Sequence, residues 1–73
     1  MNGDILIQMA NDIGAFFASM SDEDEALEGI ASHIKKFWEP RMRRQFLATV
    51  DAGGAGVSEI VVRAITRFRS VVT

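Results

Sequence analysis

Apolar residues recur at helical spacing from the start of the chain. At about 100° per residue, Leu6, Met9, Ala10, Ile13, Phe16, Phe17 and Met20 share one stripe, and Gln8, Asn11 and Ser19 fall outside it. This predicts an amphipathic helix near residues 4–20. Gly14 lies off the stripe, costs about 1 kcal/mol relative to alanine in a helix interior, and marks a candidate close helix crossing. A second helix is predicted near 22–38, with Ser21 as N-cap, Asp22, Glu23, Asp24 and Glu25 at the positive end of its dipole, and Lys35 and Lys36 at the other end. Its stripe of Leu27, Ile30, Ala31, Ile34, Phe37 and Trp38 repeats the first at a step of 21 residues. Two matching faces joined by a short loop predict an antiparallel hairpin.

The lone proline, Pro40, disfavours helical geometry at Glu39 and suits the first turn of a new helix, so the chain is expected to bend at Trp38–Pro40. A third helix is predicted near 40–52, ended by Gly53 and Gly54, which readily take left-handed conformations. Its apolar sector is broad (Met42, Phe46, Leu47, Val50), and Arg43 projects into the middle of it. Ser58 then caps a helix near 58–72 whose stripe holds Val61, Ala64, Ile65, Phe68 and Val72. Glu59, Arg63 and Arg67 follow at spacings of four on another face, where ion pairing is expected. Period-two alternation is absent beyond a short cluster at Ile60–Val62. The fold class expected is all-α: a single domain over 1–73, built as a small bundle of about four short helices.

Length and composition narrow the functional classes. A chain of 73 residues buries only about 60% of its unfolded surface, too little for an enzyme of ordinary size. With 48% hydrophobic and 25% charged residues it is expected to fold rather than remain disordered. The absence of cysteine excludes disulfide staples, thiolate zinc sites and thiol nucleophiles. The longest charge-free stretch, Ile13 to Ser21, falls far short of the roughly 20 apolar residues of a membrane span. No base precedes Lys35, so the positive start of a secretory signal is missing, and a cytoplasmic location is the expectation.

The net charge of −2 conceals a division: residues 1–34 carry seven acids and no base, and residues 35–73 carry eight bases against Glu39, Asp51 and Glu59. This reads either as a basic face for an acidic partner or as two halves that attract each other on folding. Candidate chemistry is sparse. His33 is the sole histidine and has no second ligand at metal-site spacing; helix capping explains the acids after Ser21 better than cation binding does. Gly53, Gly54 and Gly56 lack both the preceding strand and the following Gly-Lys-Ser/Thr of a phosphate loop. No catalytic, cofactor or metal residue is assigned. The informative segment is residues 35–44, with five of the eight bases around two aromatics and the proline. Lys35, Lys36, Trp38, Pro40, Arg41, Met42, Arg43 and Arg44 are the candidate partner interface, because tryptophan and arginine combine contact area with directed hydrogen bonding. Phe37 is expected in the core.

Three runs carry a family resemblance: Met9-Ala10-Asn11-Asp12-Ile13-Gly14-Ala15-Phe16-Phe17, then Ile30 to Arg43 with Phe37-Trp38-Glu39-Pro40-Arg41-Met42-Arg43 as its most specific part, then Gly53-Gly54-Ala55-Gly56-Val57-Ser58. Together they resemble the small delta subunit of soluble, NAD-dependent, molybdenum-containing formate dehydrogenases, from near Leu6 to about Ala64. The resemblance implies a non-catalytic subunit that helps assemble, stabilise or mature an enzyme complex. That complex, and not this chain, is expected to hold bis-molybdopterin guanine dinucleotide, iron-sulfur clusters, FMN and NAD; a chain without cysteine has no thiolate for such clusters. The expected partner is the formate dehydrogenase large subunit within its complex. Two alternatives remain: a small nucleic-acid binder, opposed by the acidic half and a pI near 5.2, and a module that completes its core by self-association.

Overall fold

Residues 2–73 are described by a computed structural model. They form α1 (Gly3–Phe17), α2 (Glu23–Phe37), α3 (Pro40–Asp51), α4 (Glu59–Arg67) and α5 (Arg69–Val72), with no strand among the described residues. The all-α bundle expected from the periodicity is what the chain adopts. The Asn2 side chain caps α1 by accepting from the Asp4 amide at 2.8 Å. The helix stops at Phe17, three residues short of the end of the apolar stripe. There the Ser19 hydroxyl donates to the Phe16 carbonyl at 3.1 Å, and the Met20 amide turns to the Phe17 carbonyl instead. Met20 is therefore left exposed in the connecting turn.

The cap of α2 is Asp22 rather than Ser21: its carboxylate accepts from the Glu25 amide at 3.2 Å. Pro40 opens α3 at its first turn, as its fixed φ and missing amide favour. The helix ends through Gly53 (φ 121°) and Gly54 (φ 67°), whose amides satisfy the carbonyls of Val50 and Thr49. A single helix over 58–72 is not what forms. The backbone leaves helical geometry at Phe68 (φ −114°, ψ 36°) and restarts as α5, a change of direction that seats Val72 in the core.

α2 is the central element, packing on α1, α4 and α5, while α1 also touches α3 and α4. α1 and α2 run antiparallel: Phe17, at the end of α1, lies over Gly29, whereas Met9 shares a hollow with Phe37 and Trp38. The core takes Leu6 and Ala10 from α1, Leu27, Ile30, Ala31 and Ile34 from α2, Phe46 and Leu47 from α3, Val61, Ala64 and Ile65 from α4, and Val72 from α5. Gly14 makes the α1–α4 contact possible, since a Cβ there would fall 2.7 Å from Val61 Cγ2 and 3.1 Å from Ile60 Cγ2.

Polar ties join distant segments. Asn11 clamps the loop before α4: its Nδ2 donates to the Gly56 carbonyl at 2.9 Å, and its Oδ1 accepts from the Ser58 amide at 2.8 Å. Arg63 pairs with Glu23 (3.3 Å) and Glu59 (3.0 Å), and Arg67 pairs with Asp24 (2.6 Å), so the acidic half and the basic half do meet. Arg69 forks onto both Asp51 oxygens at 2.8 Å. This hydrogen-bonded pairing holds the Asp51 carboxyl below its ordinary value and Arg69 above its own.

Candidate functional site

The segment singled out by sequence forms the corner between α2 and α3, and the structure divides it in two. Trp38, which the sequence offered both to the apolar stripe and to the candidate interface, is only 4% exposed and packs edge-on against Phe46, with ring centroids 5.5 Å apart. Its neighbour Phe37, expected in the core, is 71% exposed. Both rings fit the stripe of α2, but the helix ends between them. Trp38 takes an extended conformation (φ −96°, ψ 138°), which points its side chain inward over α3.

Arg43 also turns into the chain. Its Nη1 donates to the Trp38 carbonyl at 2.8 Å and approaches the Lys35 carbonyl at 3.4 Å. A guanidinium thus lies at the negative end of the α2 dipole, beside carbonyls that have no partner within the helix. Met42 is half-buried against the core. Lys35, Lys36, Pro40, Arg41 and Arg44 remain exposed, and Lys35 Nζ reaches the Thr73 carbonyl at 3.4 Å. Among the described residues Lys36, Arg41 and Arg44 form no ion pair or hydrogen bond, in contrast to Arg63, Arg67 and Arg69. Positive charge without a paired acid is therefore concentrated at this corner, with Glu39 also exposed there and in no ion pair among the described residues.

An aromatic face beside the corner was not found from sequence. Phe16 is 73% exposed, and the rings of Phe16, Phe17, His33 and Phe37 succeed one another at centroid separations of 5.1, 6.4 and 4.6 Å. Two adjoining hollows run between α1 and α2 along this row: one is lined by Asp12, Ile13, Phe16, Phe17 and His33, the other by Met9, Asp12, Ile13, His33, Phe37, Trp38 and Met42. The signal was present in the 21-residue step, which makes Phe16 and Phe37 equivalent positions. Both stand at the edges of their stripes and are left uncovered alike.

The runs that carry the family resemblance meet in space. Asn11 and Gly14 of the first run hold Gly56 and Ser58 of the last, and Trp38 and Arg43 of the middle run fix the α2–α3 bend. Among the described residues no group of three His, Cys, Asp or Glu is placed to hold a metal ion, and no helix is long and apolar enough to cross a membrane. No curated protein and no solved structure matches the chain. A family model described as NADH-dependent formate dehydrogenase delta subunit FdsD matches residues 5–65 of the 73, and the chain belongs to that family.

Proposed function

We propose that this chain is a non-catalytic subunit that helps assemble, stabilise or mature a NAD-dependent formate dehydrogenase complex by docking on its large subunit. Lys35, Lys36, Pro40, Arg41 and Arg44 form the contact, and Met42 packs at its edge. Trp38 and Arg43 act behind that surface by holding the bend that displays it. The molybdenum cofactor, iron-sulfur clusters, FMN and NAD are carried by the partner subunits in this reading, and the chain works in the cytoplasm with them.

The observation that carries the reading is the set of exposed cations at the α2–α3 corner left without acids, when other arginines of the same chain are paired internally. Such a surface steers and orients an acidic partner. The paired substitution Arg41→Glu and Arg44→Glu is expected to abolish co-purification with the large subunit while far-UV circular dichroism stays unchanged. A complex retained at physiological salt rules the corner out as the contact. In cells lacking the chain, reduced molybdenum content of the enzyme indicates a maturation role, and normal content with a dissociating complex indicates structural support. Normal content, assembly and formate oxidation together refute both.

A further inference from the structure

We infer that the hollow between α3 and α5, beside the basic corner, takes one apolar side chain of an acidic segment of another polypeptide, whose carboxylates lie on Arg41 and Arg44. This inference rests on the proposed docking function and names the chemistry of the partner at that site. The hollow has a volume of about 170 Å³ and is lined by Pro40, Arg43, Arg44, Leu47, Val72 and Thr73. Pockets for drug-sized ligands begin at about 300 Å³, whereas a cavity of about 150 Å³ holds a single benzene ring. The volume therefore admits one side chain and not a cofactor.

Its walls are set before anything binds. Pro40, Arg43, Arg44 and Leu47 follow one another at helical spacing along one face of α3. Leu47 and Val72 are buried and give the hollow an apolar floor. The opposite wall, α5, is tied at both ends: Arg69 forks onto Asp51 at 2.8 Å, and the Thr73 carbonyl accepts from Lys35 Nζ at 3.4 Å. The bond from Arg43 to the Trp38 carbonyl holds the α3 side. A pocket already in shape spends little of an anchor's binding energy on its own ordering.

The rim carries one sign of charge. Arg44 stands at the hollow and Arg41 one turn before it on α3; neither has an ion pair or hydrogen bond among the described residues. No acid lines the hollow, and Glu39 is the single acid of residues 35–44. Such a surface does not complement itself. A two-fold pair of copies would set Arg41 and Arg44 against their own equivalents, and like charges so placed repel. A second copy offering its acids, such as Asp4 beside the exposed Ile5, would bind head to tail, an arrangement that closes only as a ring or grows into a filament. An acidic segment of a different polypeptide satisfies the rim and the floor of a single copy.

The test uses the full chain and the complex prepared without it. Arg44→Lys keeps the charge and supplies an amine. Carbodiimide coupling of the reassembled complex is expected to join position 44 to an aspartate or glutamate of another subunit that has a large apolar residue among its sequence neighbours. Filling the hollow by Leu47→Phe, or by Thr73→Leu at an exposed position on the rim, should weaken binding by on the order of 30-fold with every cation still in place. Melting curves are read alongside, and Thr73→Leu keeps the test decisive if Leu47→Phe unfolds. Coupling to an acid of a second copy of this chain overturns the inference in favour of self-association. Absence of a coupled product at position 44, with binding intact, overturns it as well. Parent-like affinity of the filled variants, with binding lost in the Arg41→Glu and Arg44→Glu double variant, overturns the anchored hollow but leaves docking through the corner standing. Full affinity in all of these variants overturns both.

Discussion

Replacing Arg43 by methionine removes the guanidinium that closes α2 and keeps much of its aliphatic stem. The lost bond to the Trp38 carbonyl, at 2.8 Å, involves a charged donor and is worth about 1.5–3 kcal/mol. The contact to the Lys35 carbonyl, at 3.4 Å, is too long to add much. One effect opposes the loss: Arg43 Nε is buried without a partner, and deleting that atom returns part of its desolvation cost. The net destabilisation is about 1–2 kcal/mol, a large share of the roughly 4–11 kcal/mol available to a domain of this size. Thermal unfolding followed by far-UV circular dichroism should show Tm lower by roughly 5–15 °C. Arg44→Met, at an exposed and unpaired position, should stay within about 0.5 kcal/mol of the parent. If Arg43→Met melts with the parent yet loses the partner complex, Arg43 is a contact residue and its structural assignment is wrong.

Asn11→Ala removes both bonds of the loop clamp and leaves the Ser58 amide without its acceptor; after the gain in helix propensity, a loss of about 1–2 kcal/mol in urea unfolding is expected. Phe46→Ala deletes a fully buried ring that also supports Trp38, a change costing about 3–5 kcal/mol, so a cooperative melting transition should be lost or brought near ambient temperature. The Asp51 carboxyl titrates below its ordinary 3.8 because of its hydrogen bond to Arg69. Its stabilising effect is therefore present above that value and lost as pH falls through the lower folded value. The stability gap between parent and Asp51→Asn should be constant near neutral pH and close in strong acid; a gap that widens on acidification contradicts the pairing.

The helices were legible because their periodicity is strong: Leu6, Ala10, Leu27, Ile30, Ala31 and Ile34 lie on the expected stripes and are all buried. What the stripes concealed is where each buried sector is centred. On α1 the contact with α4 falls at Gly14, a residue with no side chain to register on a hydrophobic pattern, so the true buried face is rotated toward it. The opposite edge of the stripe, Phe16, consequently points away from the chain's own core. At the α2–α3 corner Phe37, expected in the core, stands at the edge of its stripe and is left exposed, while Trp38, whose place the pattern left open, is buried where the chain turns extended at the helix end. The basic corner was visible as a run of charges. Its division into paired and unpaired members depended on carbonyls and acids that only the folded chain brings near.

The Asn11 clamp bears on how a genetic screen of this subunit would read. Because one side chain anchors a loop 45 residues away, alleles at Asn11, Gly14 or Gly56 would weaken the fold itself, and on the proposed docking role they would lower the supply of folded subunit. Such alleles should be temperature-sensitive, rescued by cooling or by overexpression. Alleles at the exposed Arg41 or Arg44 should fail equally at every temperature, and that thermal signature sorts scaffold from the proposed contact before any complex is isolated.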